Sequence, residues 1–131
     1  MVVFDPKDFL KLAQDLVNDA NYDHESCFRT CISRAYYAAF LVCRTFLEFW
    51  CNFSFPQTAD VHKKVIMALR KRKVIKVLKG SYGTRYLVAD MLDQLRKNGR
   101  NKADYNLNIM ITKGHALKWI QQARSVIDRV T

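Results

Sequence analysis

The sequence predicts an all-α fold, an antiparallel up-and-down bundle of about five helices with a long second helix, on three observations. Apolar residues recur every three or four positions along nearly the whole chain, which is the period of an amphipathic helix. Only four glycines and two prolines are spread over 131 residues, too few for the many tight turns of a sandwich or barrel. Half of the residues are hydrophobic, enough at this length to bury one core without metal or disulfide staples. A single domain over residues 1–131 is expected.

Each element has its own signal. Asp5-Pro6-Lys7-Asp8 puts an acid at a cap and proline at the first helical position, a good helix start. Phe9, Leu12, Ala13, Leu16, Val17 and Ala20 then line one stripe, predicting a helix over about 6–20. Asn21-Tyr22-Asp23 reads as a turn, with Asp23 as the cap of a second helix reaching Trp50. In that helix Cys27, Cys31, Ala35, Ala38 and Val42 share a face, and Phe28, Tyr36, Tyr37, Phe40, Phe46 and Leu47 widen the apolar surface. A helix so apolar around its girth is central or lies in an interface. Thr58 or Asp60 caps a third helix through Val61, Val65, Ala68 and Leu69. It breaks past Arg70, because Arg72 and Lys76 would otherwise fall on its apolar stripe. Val74 to Leu78 is a short separate piece, the one stretch that could pass for a strand. Gly80-Ser81-Tyr82-Gly83 reads as a loop before a fourth helix through Leu87, Met91, Leu92 and Leu95, with Gly99 as its stop. A short segment from Arg100 to Met110 leads to Thr112, the cap of a last helix through Ala116, Trp119, Ile120, Ala123, Val126, Ile127 and Val130.

No stretch approaches the roughly 18 uninterrupted apolar residues of a membrane span. Met1-Val2-Val3-Phe4-Asp5-Pro6 lacks the basic-then-apolar order of a secretion signal. A cytoplasmic protein with no membrane contact is the expectation. Cys27, Cys31, Cys43 and Cys51 lie within or just after one helix. Residues 27 and 43 would be about 24 Å apart along it, too far to bridge, so reduced thiols in a core are expected. His24, Cys27 and Cys31 share a helical side, but Cys43 is about 18 Å from Cys31 and a structural zinc wants four ligands. Neither a metal nor another cofactor is expected.

The formal charge is +10 and it is unevenly spread. Between Val61 and Ala89 there are nine Lys or Arg and no acid. Such a run is either a solvated face or a patch for a polyanion, nucleic acid first and an acidic protein second. Lys63, Lys64, Arg70, Lys71, Arg72 and Lys73, with Lys102 further on, are the candidate nucleic-acid-binding residues.

Enzyme signatures are mostly missing: there is no Gly-rich phosphate loop, no His-Glu-x-x-His and no nucleophile elbow. The element that stands out is Arg96-Lys97-Asn98-Gly99-Arg100-Asn101-Lys102-Ala103-Asp104-Tyr105. On chemistry alone it reads as a helix end with an internal Arg to Asp ion pair. The neighbouring blocks add to it: Ser33-Arg34-Ala35-Tyr36-Tyr37-Ala38-Ala39-Phe40 in the long helix, His62 early in the third, then Arg96-x3-Arg100-x2-Ala103-Asp104-Tyr105 before the last. In that order, over about residues 5–130, they resemble the HEPN superfamily, and within it the small stand-alone prokaryotic HEPN proteins.

The resemblance implies a helical bundle that is frequently a homodimer. It also implies an RNA-directed protein, in many relatives a metal-independent endoribonuclease of toxin-antitoxin or defence type. The family motif is an arginine followed, four to six residues later, by a histidine. The arginine holds the scissile phosphate and the histidine moves protons. Arg100 occupies the arginine position, with Asn101 beside it, and Tyr105 stands where the histidine belongs. The candidate catalytic residues are therefore Arg96, Arg100, Asp104 and Tyr105. A free tyrosine titrates near pH 10 and is ~1,000-fold less often deprotonated at neutral pH than histidine, so it is a poor general base. Tyr105 could still donate a hydrogen bond to a phosphate. His62 or His115 could supply a base in space, though each reads first as a capping or packing residue. Of Tyr36 and Tyr37, one ring is expected to fill the core; a hydroxyl beside Arg100 is the other reading. Arg34 is expected to be a buried ion-pair partner for an acid such as Asp104. Two other functions remain open: an interaction module beside a separately encoded minimal nucleotidyltransferase, which could modify Tyr105, and a bundle that binds a nucleotide or another anion.

Overall fold

The computed structural model describes residues 3–131. Its elements are α1 (Lys7–Val17), a 3-10 turn (Ala20–Tyr22), α2 (Glu25–Trp50), α3 (Val61–Leu69), α4 (Arg72–Ile75), α5 (Tyr82–Gln94), a π turn (Leu95–Arg100), α6 (Asn101–Tyr105) and α7 (Lys113–Val130). There is no strand among the described residues, and Val74 and Ile75 belong to the four-residue α4. No helix of the described residues is long and apolar enough to cross a membrane.

The chain runs up and down. Asn18 closes α1 three residues short of the expected end, because the Asp19 carboxylate accepts from the Asn21 amide at 2.9 Å and starts a separate 3-10 turn. The reversal lays α2 antiparallel to α1. Asp23 does not cap α2; His24 holds the cap position in extended backbone, without a side-chain bond to the helix. At the far end Asn52 takes a left-handed φ of 58°, and the Phe53 amide reaches back to the Leu47 carbonyl at 3.1 Å, a helix stop of the left-handed kind. α3 breaks after Leu69 as its sequence phase requires.

α2 is the centre. It packs most extensively on α1 and α7, and Cys31, Ile32, Ala35, Tyr36, Ala38, Ala39, Cys43 and Leu47 are wholly enclosed. Three of these are alanines, which let neighbouring backbones approach closely. Cys27, Cys31 and Cys43 are buried and Cys51 is half-buried, all as free thiols. Burial pushes the Cys43 thiol up to about 12, so it packs as a small apolar group.

Gly99 is not a helix stop. The chain passes through it in a π turn that widens the helix by one residue and closes with the Asn101 amide on the Arg96 carbonyl. Tyr82 and Gly83, expected in a loop, already belong to the first turn of α5. What Gly99 supplies is closeness. A Cβ there would lie 3.1 Å from Cδ2 of Trp119 on α7, nearer than packed carbons normally sit. The Gln122 amide donates to the Met91 carbonyl at 2.8 Å one layer away, so α5–α6 and α7 run antiparallel and tightly joined. Thr112 caps α7 as expected, in a reciprocal capping box with His115 (3.2 and 3.1 Å).

Arg29 fixes the end of this arm. Its guanidinium donates to the carbonyls of Ala103 and Asn106 at 3.0 Å and of Ile109 at 2.7 Å, with Nε on Glu25 at 2.8 Å. Those carbonyls lie at and beyond the end of α6, where no helical donor remains for them.

Valine at Gly99 is the sharpest test of this packing. Gly99→Val is expected to destabilise the protein by about 1–3 kcal/mol in a denaturant titration, as overpacking does. An unchanged midpoint would mean that Trp119 does not press on the π turn.

Candidate functional site

The central stretch of α2 presents Ser33, Arg34, Tyr36, Tyr37 and Phe40 across adjoining faces, and three other elements close on them. α3 brings His62, the π turn brings Arg96 and Arg100, and α6 brings Asp104 and Tyr105. The structure thus gathers all four candidate catalytic residues and adds His62, Tyr36, Tyr37 and Arg34.

Arg100 is the hub. Only 13% of its side chain is exposed, and each edge of the guanidinium is engaged. Nε donates to Asp104 at 3.1 Å, Nη1 to the Asn101 side-chain oxygen at 3.1 Å, and Nη2 to the Tyr37 hydroxyl at 2.8 Å and the Tyr105 hydroxyl at 3.4 Å. Its central carbon also lies 5.7, 5.3 and 5.3 Å from the ring centres of Tyr36, Tyr37 and Tyr105, within cation–π range. The ion pair read from the sequence between helix-end Arg and Asp is present.

Arg34 departs from expectation. Asp104 is taken by Arg100 and by the Ser33 hydroxyl, which donates to it at 3.1 Å. Arg34 instead reaches the Ser33 oxygen at 3.4 Å and lies 5.1 Å from the centre of Tyr37 and 5.2 Å from that of Phe9. It shares the Tyr37 ring with Arg100. Among the described residues no carboxylate stands within ion-pair distance of Arg34 or Arg96. Arg96 also buries its Nε without a hydrogen-bond partner. Three guanidiniums therefore border one aromatic cluster that holds a single carboxylate.

His62 belongs to that cluster, whereas His115 is a capping residue. The His62 ring stacks on Phe40 at 4.2 Å, and its Nδ1 is 2.6 Å from the Tyr36 hydroxyl. Burial, with the charges of Arg96 and Arg100 adding to it, pushes the imidazole down to about 4, so it is neutral at pH 7. Tyr36 is wholly buried, which pushes its hydroxyl up and keeps it protonated. With hydrogen on Nε2 the ring accepts from the Tyr36 hydroxyl at Nδ1; with hydrogen on Nδ1 it donates to the Tyr36 oxygen, and Nε2 is then the acceptor. Tyr36 is thus the ring that fills the core, and the Tyr37 hydroxyl lies beside Arg100, accepting from it at 2.8 Å. The sequence offers His62 as a possible base in space but reads it first as a capping or packing residue, since its contact with α2 spans 26 positions.

Tyr105 stands at the outer edge, 68% exposed. With Lys97, Asn101, Lys102, Asn106 and Asn108 it lines an open cleft of about 550 Å³. Asn101 thereby touches both the cleft and Arg100. Lys102 joins this site, but the other basic candidates do not. Lys63 and Lys64 lie on α3, Arg70 and Lys71 follow it, and Arg72 and Lys73 open α4. Arg70 is partly neutralised by Asp90 at 3.0 Å and Asp93 at 3.9 Å, Lys64 by Asp60 at 3.4 Å, and Lys73 rests 4.5 Å from the Phe53 ring centre. Among the described residues no group of three or more His, Cys, Asp or Glu is placed to hold a metal ion.

Comparison with protein-family models, curated proteins and solved structures found no match to this chain.

The depressed His62 ties stability to pH. The unfolded imidazole binds its proton near pH 6.5 and the folded one only near 4, so stability is complete above about 6.5 and falls as pH drops towards 4. The ring keeps a solvent-facing edge, which limits the effect to about 1–2 kcal/mol. Denaturant titrations of wild type and His62→Gln between pH 4 and 7 should show a shallower pH slope in the variant. Parallel slopes would place the titration elsewhere.

Proposed function

We propose that this chain is an RNA-directed domain of the HEPN type, in which Arg34, Arg96 and Arg100 surround the seat of a backbone phosphate. The observation that carries this reading is the charge balance of the cluster: Arg34 and Arg100 share the Tyr37 ring, Arg100 also lies over Tyr36, Arg96 is near enough for its charge to act on Tyr36 and His62, and Asp104 is the one acid ion-paired there. A phosphate oxygen would supply the missing negative charge and accept from the forks of Arg34 and Arg96, which no carboxylate holds, while Arg100, already engaged on every edge, adds charge. The cleft beside Tyr105, edged by Lys97 and Lys102, gives the adjoining nucleotides a path along the surface.

Cleavage asks for more than binding. The ribose 2′-hydroxyl must give up a proton as it attacks phosphorus, and the departing 5′-oxygen must receive one. Tyr105 is placed to donate to a phosphate oxygen. His62, neutral and hydrogen-bonded to Tyr36, would take the first proton at Nε2 in the tautomer that carries its hydrogen on Nδ1. In this reading the role that the sequence pattern assigns to position 105 passes to His62.

Labelled single-stranded RNA tests both halves. Wild type should bind at low salt and lose affinity steeply as salt rises. Arg100→Ala, and less severely Arg100→Lys, should weaken binding about 10-fold or more. His62→Gln should leave binding within about twofold and lower cleavage about 100-fold, the scale of one general base. Tyr105→His should raise cleavage. Wild type that binds no RNA at low salt removes the proposal, and cleavage unchanged in His62→Gln removes the role of that residue.

The exposure of Tyr105 favours one other reading, a module whose tyrosine receives a nucleotidyl group from a partner nucleotidyltransferase. The phenolic oxygen would attack the α-phosphorus of a nucleoside triphosphate and release pyrophosphate. Co-expression with such an enzyme and intact-mass analysis would show the adduct in wild type and not in Tyr105→Phe.

A further inference from the structure

We infer that the first turns of α5 carry a second RNA contact, a base-stacking platform for single-stranded RNA made by Tyr82 and Tyr86 and framed by Arg72 and Arg85. The inference rests on the RNA reading above and extends it to a surface formed by other residues.

Four observations converge there. First, α5 turns Val88, Ala89 and Leu92 into the core and leaves Tyr82 54% and Tyr86 43% exposed. Two large aromatics one helical turn apart on a solvent-facing side add only ~0.2–0.5 kcal/mol to a helix, so helix stability alone is a thin reason for them. Second, the pair is mutually fixed: the ring centres are 4.8 Å apart at 80°, and the hydroxyls lie 2.5 Å from each other. Rings held in one geometry lose little freedom when a base stacks on them. Third, two arginines stand beside the rings, while Asp90, one turn beyond Tyr86, is taken by Arg70 at 3.0 Å. The Arg85 guanidinium lies 5.3 Å from the centre of the Tyr82 ring and donates to the Lys76 carbonyl of the preceding turn at 3.3 Å. Arg72 opens α4, the helix whose C-terminal cap, Lys76, Arg85 reaches. Fourth, this is the end of the 61–89 segment, which carries nine cations and no acid.

Aromatic faces interleaved with arginines match the chemistry of an unpaired nucleic-acid strand, whose bases stack while its phosphates meet cations. A duplex hides its base faces, and the Asp and Glu side chains of an acidic peptide offer no aromatic face to stack. An unpaired strand is therefore the occupant, and with the RNA reading above that strand is single-stranded RNA. The strand would meet the protein twice, with one phosphate at the Arg100 cluster and bases at α5.

The test uses the full chain and fluorescence anisotropy with three probes: a labelled single-stranded oligouridine, an RNA duplex of equal length, and polyglutamate. Two double variants are compared after far-UV circular dichroism confirms their helix content, Tyr82→Ala with Tyr86→Ala and Tyr82→Phe with Tyr86→Phe. The alanine pair should bind oligouridine about 10- to 100-fold more weakly, the scale of losing one or two stacked bases, with duplex binding unchanged. The phenylalanine pair, which keeps the rings and loses the hydroxyl contact, should bind within about threefold of wild type. Wild-type affinity in the alanine pair overturns the platform, as does an equal loss for duplex or for polyglutamate, or a phenylalanine pair as weak as the alanine pair. Binding lost in Arg100→Ala but intact in the alanine pair would remove the platform alone. Wild type that binds neither RNA would remove the RNA reading as well.

Discussion

Arg100 places a positive charge inside the bundle wall, and the arrangement around it follows from how that charge is accommodated. A guanidinium withdrawn from water must find partners for its donors and a counter-charge. Here α2 supplies the Tyr37 oxygen, α6 supplies Asp104 and Tyr105, and Asn101 closes the remaining edge. These bonds tie the π turn to the central helix at its midpoint. The π turn in turn sets Gly99 against Trp119, which locks the same arm to α7. Arg29 holds the far end of that arm by its carbonyls. The result is a frame in which the π turn, α6 and α7 set Arg96 and Arg100 against the central helix.

The frame has an electrostatic cost, which is informative. Burial lowers His62, and Arg96 and Arg100 lower it further, so the cluster tolerates no more positive charge than it has. Structural ion-pair networks normally balance their charges; this one does not. An incoming anion would relieve Arg34 and Arg96 and make a proton on His62 easier to hold. An anion bound there would thus be linked to protonation of the imidazole, as the proposed acid–base site at a phosphate requires.

Much of the fold could be read directly, because α1, α2, α5 and α7 bury one or more faces at helical spacing and Thr112 carries its capping partner three residues on. The errors have specific causes. Gly99 reads as a stop since glycine favours helix ends, and nothing local signals that Trp119, twenty residues away, needs the space. The π turn has no composition of its own, so the continuation into α6 was invisible. Asp23 looks like a cap, yet the backbone enters α2 one residue later, at His24. At the site, Arg96, Arg100, Asp104 and Tyr105 fall within one arm of the chain, and short-range spacing suffices to group them. His62 and Arg34 join through contacts between helices, which no spacing rule contains. Arg34 was assigned to Asp104 by charge alone, whereas the nearer Arg100 takes that carboxylate and leaves Arg34 on the Tyr37 ring.

The coupling between the guanidiniums and His62 can be observed without any enzymatic activity. Nuclear magnetic resonance of ring-labelled histidine, titrated with pH in the presence and absence of inorganic phosphate, follows His62 directly. If the cluster seats a phosphate, the His62 pKa should climb from about 4 by about one unit or more when phosphate is added. That rise should vanish in Arg96→Met. A His62 titration indifferent to phosphate would contradict the account.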